Sequence, residues 1–197
     1  MNPPKRRLIL ASSSPYRREL LARLQLDFEC DSPDIDESAL TDESAEQLVQ
    51  RLALEKSRAV ATRQPNSLII GSDQAAVLAD GTVLGKPGTA DKAVQQLMAA
   101  SGSRVIFLTG LCLLNSETGK SQLCCEQYAV QFRTLTEDMA RRYVEKEQPL
   151  NCAGSFKSEG LGITLFEKFI GDDPNSLIGL PLIRLTRMLE EEGILLP

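Results

Sequence analysis

Four stretches of this chain gather side chains that can do chemistry, and no histidine helps them, because the 197 residues include none. Ser12-Ser13-Ser14-Pro15-Tyr16-Arg17-Arg18 follows a short apolar run. Ser14 is a good N-cap and Pro15 suits the first helical position, so hydroxyls, unpaired helix N–H groups and two guanidiniums converge there. That combination favours phosphate, and it is equally what a capped surface helix with solvated arginines looks like. Gly71-Ser72-Asp73-Gln74 closes a second apolar run. A carboxylate at a strand end stands where α/β sites form, so Asp73 suits a divalent ion, a general base or a plain strand-end turn. Gly85-Lys86-Pro87 holds Lys86 on a stiff loop that suits a phosphate point charge or simply a solvated lysine; its spacing is not that of a Walker A loop. In Ala153-Gly154-Ser155-Phe156-Lys157-Ser158-Glu159-Gly160-Leu161-Gly162 the glycines allow close backbone approach. Lys157 there suits phosphate and Glu159 suits donors on a base edge, against the alternative of a tight turn with solvated charges.

Two acidic stretches, Asp34-Ile35-Asp36-Glu37 and Asp172-Asp173-Pro174-Asn175, offer oxygen ligands for Mg²⁺ or Mn²⁺, or are solvated loops. Lys56 lies four residues past Leu52, on or near the apolar stripe of its segment, where a lysine snorkels or reaches into a site. Without imidazole, Ser-His-Asp triads, Cys-His dyads and His-ligated zinc are excluded, and a carboxylate is the natural base.

These residues need strands and helices to place them. Arg7–Ala11 and Leu68–Ser72 read as buried strands, with Gln74–Leu78 extended, Asp80-Gly81 a hairpin turn and Thr82–Leu84 returning. Phe28–Cys30 reads as a short strand and Asp31–Asp42 as a loop. Helices are expected from Pro15 to about Leu24, from the capping box Ser44-Ala45-Glu46-Gln47 to about Arg63, from Thr89 to about Ser101, from Thr136 to Glu147 and from Leu182 to Glu192. The expected apolar face of the second is Ala45, Leu48, Val49, Leu52, Ala59 and Val60. Val105–Leu114 and Gln122–Phe132 read as long strands around the turn Asn115–Gly119, and Cys152–Leu165 as irregular. Interleaved helices and strands with a long hairpin predict α/β with a mixed sheet.

Composition narrows the rest. Lys+Arg total 22 and Asp+Glu 27, a net charge of −5, which lacks the electrostatic footprint of a nucleic-acid binder. There is no Trp and no apolar run long enough to span a membrane, and the basic start Met1–Arg7 leads into an apolar run too short for a signal segment. The five cysteines are odd in number and lack C-x-x-C spacing, which suggests free thiols and a cytoplasmic protein.

Taken in order, Leu8-Ile9-Leu10-Ala11-Ser12-Ser13-Ser14-Pro15-Tyr16-Arg17-Arg18, Asp36-Glu37, Glu55-Lys56, Ile70-Gly71-Ser72-Asp73, Gly85-Lys86-Pro87, Ala153-Gly154-Ser155 and Ile178-Gly179-Leu180-Pro181 resemble the motifs of the Maf family over nearly the whole chain. The resemblance implies a single domain over residues 1–197 with the inosine-triphosphatase-like fold: an elongated mixed β-sheet flanked by helices, with a central cleft. It implies a nucleoside triphosphate pyrophosphatase that depends on Mg²⁺ or Mn²⁺ and takes a small-molecule nucleotide, with no nucleic-acid or membrane partner and a leaning to a homodimer. Tyr16, Gln74 and Phe156-Lys157-Ser158-Glu159-Gly160 are similar to the YceF-like branch, which acts on 7-methyl-GTP. Relatives that act on dTTP and UTP carry Arg, Thr and Gln at positions 16, 74 and 159, and the 7-methyl-GTP branch often has Trp at position 16.

The resemblance makes Asp73 the proton acceptor and supports Glu37 as the second metal carboxylate. Arg17, Lys56 and Lys86 are expected to hold the triphosphate, with Ser12 and the helix start donating to phosphate oxygens. The chemistry of the base agrees. Methylation at N7 makes guanine cationic, and an aromatic face such as Tyr16 attracts it by about 0.5–2 kcal/mol. Glu159 can accept from N1–H and the 2-amino group together, whereas a pyrimidine leaves it partly unsatisfied at about 1–3 kcal/mol. The rivals are a dTTP/UTP pyrophosphatase of the same family and a non-catalytic nucleotide-binding regulator, for example of cell division.

Overall fold

The structure is a computed structural model that describes residues 6–197; Met1–Lys5, on which the reading of the basic start rests, lie outside the described residues. The chain forms two compact units. The first takes residues up to Asp73, Thr109–Glu126 and Gly179–Pro197; the second takes Gln74–Leu108 and Gln127–Ile178.

In the first unit, strand β1 (Arg7–Leu10) lies between β2 (Glu29–Cys30) and the start of β3 (Ser67–Val77), parallel to both, with Ile9 opposite Glu29 and Ile69. Its apolar run is buried, as a strand covered on both faces requires. Helix α1 (Pro15–Ala22) begins where Ser14 Oγ accepts from Arg17 N, and buries Leu20 and Leu21. Helix α2 (Ala45–Ala61) carries the expected capping box between Ser44 and Gln47. Its buried face, however, is Val49, Leu52, Ala53, Lys56, Ser57 and Val60, and Ala45, Leu48 and Ala59 sit only at the margin.

Two glycines explain that rotation. A Cβ on Gly71 would lie 2.1 Å from Ala53 O and 2.3 Å from Ser57 Oγ; one on Gly110 would lie 2.1 Å from Val49 O. The helix backbone therefore rests on the strands with no side-chain layer between, and its small residues face inward. Ile9, Ala11, Ala53, Val60, Ile69, Cys112 and Leu114 form the core around this contact. The last helix of the unit spans Leu182–Glu191 and ends before Gly193, whose φ is +83°.

In the second unit, the end of β3 pairs antiparallel with β4 (Val83–Leu84) across a turn at Gly81. Thr89 caps α3 (Ala90–Ala100) and Thr136 caps α4 (Glu137–Glu147). The core centres on phenylalanines: Phe156 meets Phe107, Phe132 and Phe166 edge to face, with centroids 5.3, 5.7 and 4.8 Å apart.

Strands β5 (Arg104–Asn115) and β6 (Ser121–Phe132) run through both stretches of chain. With β7 at Phe166–Ile170, the seven-stranded sheet has the order β2-β1-β3-β5-β6-β7, with β4 on β3, and parallel and antiparallel pairs together make it the mixed α/β sheet expected. The edge strand β7 (Phe166–Ile170) and helix α5 (Pro174–Ile178) were not expected. Each has five residues, too few to display a period. Asp173 starts α5: its Oδ1 accepts from Asn175 N at 2.9 Å and from Asn175 Nδ2 at 2.8 Å. Asp173 thus departs from the solvated-loop reading of the second acidic stretch: it is buried as the cap of α5. With α5 named, the helix at Leu182–Glu191 is α6. No helix among the described residues is long and apolar enough to cross a membrane.

Candidate active site

The close seat of α2 on Gly71 aims Lys56 at the neighbouring strand residue. Lys56 Nζ lies 2.6 Å from Asp73 Oδ1 and 2.7 Å from Glu37 Oε1. The Lys56 side chain is only 6% exposed, so its ammonium is drawn from water and held by carboxylates instead.

Glu37 arrives on the long loop between β2 and α2, and two arginines, Arg51 within that helix and Arg63 just past its end, hold the loop. Arg63 Nε donates to Asp31 Oδ1 and Oδ2 at 3.1 Å, and its NH2 to Ser32 O at 2.9 Å. Arg51 donates from NH2 to Ser38 O at 3.0 Å, from Nε to Glu43 Oε1 at 2.6 Å and from NH1 to Glu55 Oε2 at 3.0 Å. Glu43 answers by accepting from Leu40 N at 3.0 Å, and Asp36 Oδ1 accepts from Ser38 N at 2.9 Å. The Arg51 guanidinium holds the Glu43 carboxyl at about 2, well below its ordinary range.

Arg17, in the first turn of α1, is half-buried and donates from Nε to Gly179 O at 2.9 Å. Burial pushes its guanidinium pKa down, and the nearby charges of Asp73 and Glu37 oppose that shift. Two cations, Arg17 and Lys56, thus face two carboxylates, Glu37 and Asp73. Ser12 is buried at the mouth of α1, where its Oγ accepts from Ser14 N at 3.1 Å. Tyr16 is half-buried on the same helix.

The donor set at Lys56 suits a hard divalent cation. Two carboxylate oxygens already converge on one positive group, and Mg²⁺ is commonly bound by one or two carboxylates with water and substrate phosphate completing its shell. No cluster of three or more His, Cys, Asp or Glu that could enclose an ion occurs among the described residues.

The remaining expected residues belong to the second unit. Gln74 follows Asp73 on β3 and donates from Nε2 to Ser176 O at 2.7 Å and Leu177 O at 3.2 Å, so it ties down α5. Lys86 is exposed on its loop. Lys157 Nζ donates to Glu147 O at 3.0 Å and lies 3.3 Å from Glu147 Oε1. Glu159 is exposed, with Ser158 Oγ donating to its Oε2 at 3.2 Å. Their segment is held from behind: Lys157 N donates to Tyr143 OH at 3.0 Å, Leu161 N donates to Glu147 Oε2 at 2.7 Å, and a Cβ on Gly162 would lie 2.3 Å from Lys157 O.

Burial pushes the thiols of Cys112 and Cys125 up to about 11 and raises that of Cys124, so none of the three is a thiolate nucleophile at neutral pH. Sequence reasoning missed Arg51 and Ser72. Arg51 carried a signal in its i, i+4 spacing to Glu55; Ser72 carried none beyond adjoining Asp73.

Comparison with known proteins bears on this arrangement. The family model for Maf-like proteins matches residues 7–192. A curated 7-methyl-GTP pyrophosphatase of Alcanivorax borkumensis is 63% identical over 190 residues, 96% of each chain. Its namesakes in Pseudomonas aeruginosa and Vibrio cholerae are 61% and 56% identical, over 96% and 95% of this chain and 98% and 96% of theirs. Among solved structures, a HAM1 protein from Coxiella burnetii superposes with a TM-score of 0.53 at 16% identity, covering 94% of this chain and 99% of that one. The Staphylococcus aureus Ham1 protein gives 0.54 at 15%, covering 95% and 100%. At such identity these two show a shared fold.

Proposed function

The chain belongs to the Maf family, and from that membership we propose that it hydrolyses 7-methyl-GTP to 7-methyl-GMP and pyrophosphate, clearing a modified nucleotide. The high identity to relatives of that name supports the substrate. The observation that supports the chemistry is the convergence of Arg17, Glu37, Lys56 and Asp73 in a chain without histidine.

Water attacks the α-phosphorus. Its oxygen forms the new P–O bond as the bond from the α-phosphorus to the bridging oxygen breaks, and pyrophosphate leaves with that electron pair. Asp73 orients the water and takes its proton, with Lys56 at Oδ1. Arg17, Lys56 and Lys86 hold the triphosphate, and Lys56 and Lys86 stabilise charge on the leaving group. Ser12 and the N–H groups that open α1 donate to phosphate oxygens. Lys157 adds a cation, Gln74 contributes to substrate binding, Tyr16 stacks on the cationic base and Glu159 accepts from its N1–H and 2-amino groups. Glu37 and Asp73 would hold a Mg²⁺ or Mn²⁺ ion, which would supply neutralisation of phosphate charge. The reading of residues 1–197 as a single domain and a cytoplasmic setting belong to this proposal. The five free cysteines accord with a reducing compartment.

The test is pyrophosphate release from 7-methyl-GTP, GTP, dTTP and UTP with each metal, run beside Asp73→Asn. The expected result is a strong preference for 7-methyl-GTP and a loss of about 10²–10⁴ in turnover for the variant, with nucleotide still bound. Wild-type turnover in Asp73→Asn rejects Asp73 as the base. Preference for dTTP or UTP rejects the assigned base readers, and no release at stoichiometric enzyme would make the protein a nucleotide-binding regulator.

A further inference from the structure

Neither Ser72 nor the motif Ile178-Gly179-Leu180-Pro181 takes part in the reaction as written, yet both meet Arg17 at one atom. The carbonyl oxygen of Gly179 accepts from Arg17 Nε at 2.9 Å and lies 2.9 Å from Ser72 Oγ. Ser72 is fully buried, and its single hydroxyl proton also has Gly110 O within reach at 2.8 Å.

A guanidinium is planar and carries five N–H donors in a rigid fork. Fixing Nε–H on an immobile carbonyl fixes the plane, so the four N–H of the two terminal nitrogens keep a set direction. Gly179 is suited to be that carbonyl. Its φ of +119° lies where L-residues rarely go, and a Cβ there would lie 3.4 Å from Arg17 Nε and 3.7 Å from NH2. Those distances are ordinary contact, so the backbone conformation rather than lack of room calls for glycine. When its proton goes to Gly179 O, Ser72 ties that oxygen to β3 one residue before Asp73, so the guanidinium and the proposed base take their bearings from one strand.

We infer that Ser72 and Gly179 are positioning residues that aim the Arg17 guanidinium at the substrate phosphates through the Gly179 carbonyl. The inference rests on the reading of Arg17 as a phosphate ligand. It makes Ser72 a determinant of substrate affinity although it touches no substrate.

A double-mutant cycle on hydrolysis of 7-methyl-GTP at fixed Mg²⁺ tests it. Ser72→Ala is expected to raise KM about tenfold, with kcat changed less than about threefold. Added to Arg17→Lys, the same substitution is expected to change KM less than about twofold, because the fork it aims is already gone. Equal KM increases in the two backgrounds, or a wild-type KM in Ser72→Ala, overturn the inference; the hydroxyl then serves only as a tie to Gly110. If Ser72→Ala fails to fold, Gly179→Ala takes its place in the cycle with the same expectation and the same refutation. An unchanged KM in Arg17→Lys itself rejects the phosphate-ligand reading and the inference with it, a result separate from loss of the Ser72 coupling.

Discussion

Two long loops each carry one proposed carboxylate, and they are held in different ways. The loop between β2 and α2 brings Glu37 to Lys56. Its fastenings are side-chain ion pairs and carbonyl contacts from Arg51 and Arg63, and it buries little, with Leu40 60% exposed. The loop between α4 and β7 presents Glu159. Its fastenings are the Phe156 ring inside the aromatic core, two short 3₁₀ turns and backbone packing against Gly162. Charge alone fastens the first loop; in the second, apolar burial is joined by one carboxylate, Glu147, which pairs with Lys157 and accepts from Leu161 N. The first kind answers to pH and salt, the second to lost volume.

Breaking the second loop should therefore cost most. Phe156→Ala removes the ring shared by Phe107, Phe132 and Phe166, and urea unfolding should show a loss of about 3–5 kcal/mol. A loss below about 1 kcal/mol would mean the ring is not what anchors the loop. Gly162→Ala places a methyl against Lys157 O and should cost about 1–3 kcal/mol while loosening discrimination between 7-methyl-GTP and UTP; unchanged discrimination would detach Glu159 from that packing.

Arg51→Met should show the smallest stability change, and it sharpens the comparison through pH. The native Glu43 carboxyl sits at about 2 against 4.5 ordinarily, so its contribution is complete above the ordinary value and is lost as pH falls through about 2. The gap between wild type and Arg51→Met should narrow on acidification from about pH 5 to about pH 2, whereas the Phe156→Ala gap should lack this component. A pH-independent Arg51→Met gap would break the contrast.

What could be read beforehand follows the range of the forces involved. Caps at Ser14, Ser44, Thr89 and Thr136 are local, and all four start helices where expected. The buried face of α2 was misplaced because apolar spacing cannot report two glycines on distant strands. Strand β7 and helix α5 fell below the length at which periodicity speaks. At the site, Lys56 stood out as a cation on a buried stripe and Asp73 as a carboxylate at a strand end; their ion pair spans 17 residues and was not legible from either. The Ser72–Gly179 contact spans 107 residues, and no spacing rule reaches that far.

The seat of α2 on Gly71 and Gly110 has a consequence for how the molecule opens. A helix cushioned by side chains can lift away as a local fluctuation. Here the carbonyls of Val49 and Ala53 lie directly on the two strands, so α2 cannot leave without disturbing β3 and β5. Its amides should exchange with deuterium only in the rarest openings, together with those of the strands beneath. The lysine that grips both carboxylates thus rides on one of the last elements to come undone.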